Sequence, residues 1–557
     1  LTVASVLGRH WIAGGDQAVE IMRMRDVGTA HTPLTGAYSR FGWQHPGPLL
    51  FWVGAPGARF WADTGVLVTV GLVNAASIAA AVRAAGRVGG RSLAVLVAAG
   101  ALWMCHTMAL ATLLDPWNPW VGVMPLLAFL VCAWAAAEGD RWSLLVAVAT
   151  ASYAVQSHVG SAPLVALATV GSVTWWLLRR RWISDDDRPT IPWPWVAGAG
   201  ALFLLLWSLP LYQQLTGRPG NLAALVRFFR SNHEVRSSTH DVLGAAAREL
   251  GLHAAWLGAS EDDHVGFLAV GAIWTLAVSG LALVGATAVS AVRRDRSATA
   301  LATWFVVLFG GSIVAMSRTT GGFFPYVVRW TWPVAMTGWA VVAWCAWRAV
   351  AHGRMRLAAD RALPLAATAV ALLSVAVVAS AWPVASPQQA DNRALGRLDA
   401  QLRHALRPGR YDISWRDPRA FGTVGIGVGV DLRQRGYDVA FAAGADEFGN
   451  WRVTAFDSQR PLLMVVSSLA TGQWSPSAGD RLVASYDPLD RARRREAGHL
   501  EQRIRAAAGV TPADVVDARS PFERATLQAH GAQRADITAL ARLQQAGDAY
   551  RIWLVRP

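Results

Sequence analysis

Three carboxylates fall within the first 26 residues, and two of them have the spacing of neighbours on one helix face. Asp16 follows Gly14 and Gly15 and opens a helical pattern, and Glu20 comes one turn later. Residues four apart lie on the same side of a helix. Asp26 is the next acid along the chain. A carboxylate held in this way could act as a general base towards a hydroxyl group. Alternatively, Asp16 caps the helix, and the two roles are compatible.

Basic and titratable side chains follow at positions that could bind an anion. Arg40 carries a guanidinium fork, which suits phosphate and stays charged at any relevant pH. His45 precedes Pro46, a pair that could also be a simple turn before a helix. His158 ends one apolar run and Arg329 begins another. We interpret Arg329 as a second phosphate-binding candidate, although snorkelling at a membrane surface or helix capping would also explain such residues.

Long apolar runs must position these residues. The 557 residues are 53% hydrophobic and 16% charged, whereas soluble proteins are about 25% charged. Runs of about 18 to 25 residues are long enough to cross a hydrocarbon core of about 30 Å. The predicted spans lie near residues 65–84, 92–114, 120–138, 142–156, 161–178, 194–212, 266–292, 299–316, 328–349 and 363–382.

The start of the chain bears on the number of spans. The sequence begins at Leu1, and its first apolar stretch, residues 1–7, is too short to cross a bilayer. We interpret it as part of a clipped first helix, which gives a multi-pass α-helical membrane protein with about eleven spans. The alternative is a signal-peptide remnant.

The charge distribution predicts an orientation. All 51 basic residues are Arg, and the net charge is +14. Many of them lie in the loops at 83–91, 179–188, 293–296 and 348–361, which fall on one side if the spans alternate. By the positive-inside rule these loops are cytoplasmic. The protein is therefore predicted in the plasma membrane, with the first loop (9–64) and the C-terminal residues extracytoplasmic. Membrane topology and a GC-rich coding bias typical of actinobacteria account for the charge, so no nucleic-acid partner is predicted.

The C-terminal part has the composition of a separate domain. Residues 1–382 form the predicted transmembrane domain, 383–392 a linker, and 393–557 an extracytoplasmic α/β domain. Predicted strands lie at 411–415, 438–442, 462–468 and 551–556, with helices at 421–435 and 489–508. Gly425, Gly427 and Gly429 fall in the first of these helices, and Val430 stands where a dinucleotide-binding pattern needs its last glycine. They are interpreted as helix-packing glycines.

Two acidic clusters are candidate sites for a metal ion or a nucleotide sugar. Residues 261–264, Glu-Asp-Asp-His, could bind a divalent cation through oxygen ligands, although a solvated cap before a span is favoured. Residues 185–187 are three aspartates on the predicted cytoplasmic side, so a nucleotide-sugar site there is rejected. The three cysteines, all within apolar runs, have neither disulfide nor metal-ligand spacing.

Residues 14–52 carry a resemblance to a known family. An acid opening the first outer loop, an amphipathic helix, a further acid and then His45-Pro46-Gly47-Pro48-Leu49 before the next span resemble the GT-C glycosyltransferases. The nearest branch is that of the protein mannosyltransferases and aminoarabinose transferases, and mycobacterial cell-wall arabinosyl- and mannosyltransferases are more distant cousins. The resemblance extends to about residue 382.

The resemblance implies an enzyme that uses a polyprenyl-phosphate sugar on the extracytoplasmic face, with a loop acid as the base. Asp16 would be that base, and Asp26 is the second candidate. His45 is carried over by position. Arg40, Arg329, His158 and Glu20 would line the donor site with it because they fall on the same predicted side of the membrane. The aminoarabinose transferases have an element similar to Lys-Pro-Pro-Leu, so His45 would stand where a cationic lysine meets the donor phosphate.

The predicted function is therefore inverting transfer of a sugar, arabinofuranose or mannose, to a cell-envelope glycan, lipid or protein. One alternative is a transporter or flippase for a lipid-linked sugar, a class in which internal repeats are common; no repeat is visible in this sequence. A second is a noncatalytic envelope scaffold, which would keep its full function after Asp16 is neutralised.

Overall fold

A computed structural model describes most of the chain and divides it into two compact units. The described residues are 11–555 except 40, 183–191, 232–236, 259–270, 321–322, 351–353, 381–385, 419–422, 442–447, 454–459, 471–472 and 512–513. The helical unit comprises described residues within 33–53 and 68–384, and the α/β unit those within 11–32, 54–67 and 385–557. Two segments of the predicted first loop and the span after it, within 11–32 and 54–67, are thus grouped with the C-terminal residues.

Most of the described residues before position 381 are helical. The helices are α1 (Gly15–Asp26), α2 (Leu49–Phe60), α3 (Ala62–Met108), α4 (Asn118–Val121), α5 (Val123–Ala137), α6 (Arg141–Ser157), α7 (Ala162–Trp182), α8 (Trp193–Thr216), α9 (Asn221–Ser231), α10 (Thr239–Leu250), α11 (Ile273–Val292), α12 (Arg296–Met316), α13 (Pro325–Val328), α14 (Trp332–Val350) and α15 (Arg354–Ser380). Every predicted span overlaps one of them.

The described helices include six that are long and apolar enough to cross a membrane: Ala62–Met108, Asn118–Ala137, Val159–Arg181, Trp193–Thr216, Ile273–Val292 and Arg296–Met316. The first takes in two predicted spans, which meet at Gly90, where φ is +68° and the helix is interrupted. The helix ends at Met108 rather than at residue 114. α5 is apolar on all sides and almost wholly buried, so it lies at the centre of the unit. α8 is mostly exposed and lies at the periphery.

The α/β unit is built on one mixed sheet. Its strands are β1 (Arg410–Arg416), β2 (Asp438–Phe441), β3 (Leu462–Ser467), β4 (Arg481–Tyr486) and β5 (Tyr550–Val555), in the order β2-β1-β3-β5-β4. β1 pairs in parallel with β2 and β3, and β5 is antiparallel to β3 and β4. The remaining helices are α16 (Gln389–Ala405), α17 (Thr423–Gln434), α18 (Arg491–Ala508), α19 (Pro521–Ala529) and α20 (Arg534–Gln544). The predicted linker thus runs into α16, and β4 coincides with no predicted strand.

The three glycines of α17 let that helix lie unusually close to its neighbours. A Cβ atom on Gly425 would stand 2.7 Å from the Cβ of Trp415, and one on Gly429 would stand 2.7 Å from the ring of Phe441. A Cβ on Gly427 would meet the carbonyl oxygen of Ala13 at 2.8 Å. The glycines lie inside the helix, which agrees with a packing role. They bring α17 against the sheet and against the segment that leads into α1.

Adding one methyl group to α17 where it packs most closely should destabilise the α/β unit. Gly427→Ala places its Cβ against a backbone oxygen and the side chain of Leu395, and overpacking of this kind costs about 1–3 kcal/mol. The matched control is Gly498→Ala in α18, where a Cβ would meet nothing within 4 Å and alanine favours the helix by up to about 1 kcal/mol. Thermal unfolding of the full-length protein measures both. Equal melting temperatures for the two variants would contradict the packing role.

Candidate functional site

Two glycines fix the start of α1 and the position of Asp16. Gly15 has φ +50°, a left-handed conformation that favours glycine. A Cβ on Gly14 would stand 2.8 Å from Cγ2 of Thr423. The N-cap residue is Gly14, without a side-chain cap, so Asp16 lies in the first turn rather than at the cap. Its side chain is partly exposed, while Glu20, one turn on, is buried. Backbone N–H groups at this end of a helix stabilise a carboxylate.

Asp63, which the sequence analysis did not single out, anchors the segment before α1. The backbone N–H of Ala13 donates to Oδ2 of Asp63 at 3.1 Å, and Nε2 of Gln434 donates to Oδ1 at 2.9 Å. A guanidinium nitrogen of Arg25 lies 3.6 Å from the same carboxylate. Asp63 is 4% exposed. This buried acid therefore holds the turn that places Asp16. The only local signal for it was an acid at the edge of an apolar run.

Asp26, the second predicted base, is a buried ion-pair partner. Nη2 of Arg452 lies 2.5 Å from its Oδ1, and Nη1 lies 3.0 Å from its Oδ2. Nη1 of Arg23 donates to Oδ2 at 3.0 Å. Both carboxylate oxygens thus accept charged hydrogen bonds, which are the strong kind. A general base needs an oxygen available to its proton donor. The geometry favours a structural role for Asp26.

His45 and His158 meet in the helical unit, where His45 is buried and His158 is half-buried. Their ring centroids are 5.0 Å apart. The backbone N–H of Val159 donates to Nδ1 of His45 at 3.1 Å, so a neutral ring carries its proton on Nε2. Burial, with a smaller contribution from His158, lowers the pKa of His45 well below its usual value. Burial alone lowers the pKa of His158 to about 4. The geometry favours a neutral N–H donor at His45 over the cation that the resemblance implied.

This pair should make the protein less stable in acid. Between pH 6.5 and about 4 the unfolded chain binds protons that the two rings exclude in the folded protein. Stability therefore falls as the pH falls through this window, by up to about 3 kcal/mol for His158. We expect the melting temperature of His158→Asn to depend less on pH over this range than that of the wild type. His499→Asn, on the exposed face of α18, is the control and should keep the wild-type slope.

Arg329 is held against aromatic rings, also in the helical unit. Arg329 as a whole is 1% exposed. Its Cζ lies 4.0 Å from the ring centroid of Trp332 and 5.6 Å from that of Trp120. Aromatic faces stabilise a guanidinium away from water. A cation in this place could stabilise the charge on a leaving phosphate.

Glu249, on α10, is a buried acid close to Arg329 that the sequence analysis missed. It is fully buried, and Oγ1 of Thr331 donates to its Oε2 at 3.3 Å. Burial raises the pKa of Glu249, while the charge of Arg329 and the indole of Trp332 oppose that shift. The signal in the sequence was an acid on the apolar face of a helix, since Val242 and Ala246 precede it at seven and three residues and are also buried.

The other predicted sites are only partly placed. Asp16, Glu20 and Asp26 share α1 in the α/β unit, and His45, His158 and Arg329 belong to the helical unit. Arg40 and the acidic clusters at 185–187 and 261–264 lie outside the described residues. Within the described parts of the chain, no group of three or more His, Cys, Asp or Glu side chains could hold a metal ion.

Comparison with known proteins gives a structural likeness. No protein-family model matches the sequence, and no curated protein matches it. The chain is similar to the crystal structure of ArnT from Cupriavidus metallidurans bound to undecaprenyl phosphate, with a TM-score of 0.52 and 14% identity over 87% of this chain and 94% of that one. The apo structure of the same ArnT has a TM-score of 0.47 and 16% identity over the same shares. At this identity the likeness concerns architecture: the chain has an ArnT-like fold.

Proposed function

We propose that this protein is a membrane glycosyltransferase of the GT-C type that takes its sugar from a polyprenyl-phosphate donor. The observation that carries the proposal is the ArnT-like fold, because the ArnT structure holds undecaprenyl phosphate. The start of the first loop supports it, since two glycines place a carboxylate in the first turn of α1. Arabinofuranose and mannose are the favoured sugars, and a cell-envelope glycan, lipid or protein is the acceptor.

In the proposed reaction an acceptor hydroxyl attacks the anomeric carbon. The bond from that carbon to the phosphate oxygen breaks, and polyprenyl phosphate leaves with the electron pair. The hydroxyl proton passes to the carboxylate of Asp16. A single displacement inverts the configuration, and no covalent enzyme intermediate is needed.

The remaining candidates are assigned to the donor. Arg329 stabilises the negative charge of the departing phosphate, and Arg40 is a second cation for the same group. His45 contributes a neutral N–H donor rather than a charge, because burial lowers its pKa well below the usual value. His158 lies beside it, with the ring centroids 5.0 Å apart. Glu20 lies one turn after Asp16 on the same face of α1 and is buried. It is assigned to positioning Asp16.

Orientation is proposed from the distribution of arginines. Runs such as Arg179-Arg180-Arg181 at the end of α7 and Arg293-Arg294 after α11 are typical of cytoplasmic loops. The site and the α/β unit would then face the outside of the plasma membrane, where polyprenyl-linked sugars and envelope acceptors meet.

The test uses the purified full-length protein in lipid nanodiscs. It is incubated with short-chain polyprenyl phosphates carrying arabinofuranose, mannose or aminoarabinose, together with an envelope-glycan extract. We expect release of polyprenyl phosphate from one donor, coupled to sugar incorporation into the extract. In proteoliposomes, movement of the intact lipid-linked sugar across the bilayer without cleavage would indicate the transporter instead. Neither cleavage nor movement with any donor would favour the scaffold.

A further inference from the structure

A cavity of about 570 Å³ lies within the helical unit among four helices. α8 packs on α6 and α7 packs on α5, and the cavity lies between these pairs. Small side chains form part of its wall. They include Ala133, Ala136, Ala147, Ala151 and Ala199.

The cavity is long and mostly apolar. On α6 its lining runs from Arg141 to Val155, which corresponds to about 21 Å along the helix axis. Phe203 and Trp207 of α8 line the same side. A hydrocarbon chain fits a space of this length and character, since the hydrocarbon core of a bilayer is about 30 Å thick.

One end of the cavity is cationic. Arg141, Arg179 and Arg180 line it, with Asp140 as the acid among them. The carboxylate of Asp140 is already paired with Arg83 at 2.9 Å. Arg179 is itself paired with Glu138, whose Oε2 lies 3.5 Å from its Nε. With Arg141 and Arg180 in addition, the arginines outnumber the acids at this end, and their positive charge complements a phosphodiester rather than a neutral headgroup.

A hydroxyl group inside the cavity has no hydrogen-bond partner among the described residues. Ser172 lines the wall and is 6% exposed, and its Oγ makes no hydrogen bond there. Trp176 and Arg179 follow it at four and seven residues, so the three lie on one face of α7. The hydroxyl is about 10 Å from the level of Arg179 along the helix, where the ester oxygens below a lipid headgroup could accept its hydrogen bond. Leaving a buried hydroxyl unpaired is costly.

We propose that this cavity binds one anionic glycerophospholipid of the Arg-rich leaflet. Its phosphate lies among Arg141, Arg179 and Arg180, an ester oxygen accepts from Ser172, and one acyl chain lies along α6. Basic pockets between membrane helices bind anionic headgroups in this way. The proposal stands apart from the proposed catalytic function, because it uses none of the residues assigned to sugar transfer.

Native mass spectrometry of the delipidated full-length protein tests the site, with dioleoyl phosphatidylglycerol and dioleoyl phosphatidylcholine as probes. The two lipids share acyl chains and differ in headgroup charge. We expect phosphatidylglycerol to bind more tightly. Arg141→Gln/Arg180→Gln should weaken that binding by about thirtyfold, whereas Arg181→Gln should not. Arg181 is an exposed neighbour on α7 that does not line the cavity.

A second pair of variants tests the acyl chain. Ala147→Leu/Ala151→Leu fills the cavity and should reduce phosphatidylglycerol binding, while circular dichroism reports whether the variant has folded. Equal binding of the two lipids, or an undiminished affinity in the folded arginine variant, overturns the proposal. So does displacement of phosphatidylglycerol by a short-chain polyprenyl phosphate whose own binding is lost when the cavity is filled, because the cavity would then hold a prenyl chain.

Discussion

Asp16→Asn should reduce sugar transfer by about 10²–10⁴-fold, the usual contribution of a general base, with little change in stability. Asparagine has nearly the size of aspartate, and the helix N-cap is Gly14, whose role the substitution leaves untouched. What the variant loses is the ability to accept the proton of the attacking hydroxyl. The measurement is the rate of polyprenyl phosphate release with the donor identified by the wild-type assay, together with the melting temperature.

A matched control distinguishes the loss of a catalytic base from the loss of a negative charge at a helix N-terminus. Asp391 also lies in the first turn of a helix of the α/β unit, α16. Removing a negative charge at this position costs about 0.3–1 kcal/mol of stability. Asp391→Asn should show that small loss and keep its transfer rate. If Asp16→Asn keeps its transfer rate as Asp391→Asn does, Asp16 is not the base.

Local patterns in the sequence predict much of the fold and little of the candidate site. Long apolar runs are visible within a single window, and each overlaps a helix. β4 coincides with no predicted strand. It lies at the edge of the sheet, and both Arg481 and Leu482 are exposed in it. Its residues therefore lack the alternating pattern that predicts a strand. The grouping of α1 with α17 depends on partners some 400 residues apart, which no local pattern reveals.

The same limit applies to individual site residues. The glycines before Asp16 are a local signal for a special backbone, and the structure gives Gly15 a left-handed conformation. The identity of His45 was visible in the sequence, but its burial beside His158 was not, and burial decides whether the ring is charged. The role of Asp26 depends on Arg452, more than 400 residues away. Residue type thus suggested possible chemistry, and long-range packing constrains which role each residue can take.

Asp26→Asn should destabilise the α/β unit by about 3–5 kcal/mol, because it leaves the buried guanidinium of Arg452 without its counter-charge. Arg23 would lose its partner on the same carboxylate. The control is Asp536→Asn, which removes the same charge from the exposed pair with Arg503 and should cost far less stability, because water screens such a pair. Limited proteolysis and thermal unfolding of the full-length protein measure both losses.

The double variant Asp26→Leu/Arg452→Met distinguishes a structural acid from a catalytic one. Replacing both members of a buried ion pair with apolar side chains often restores stability, so this variant should unfold near the wild-type temperature. If Asp26 is structural, sugar transfer returns together with the fold. A variant that is stable but inactive would instead make Asp26 the base, and Asp16→Asn would then retain activity. Stability and sugar transfer measured on Asp16→Asn, Asp26→Asn and the double variant therefore assign the base to one of the two aspartates.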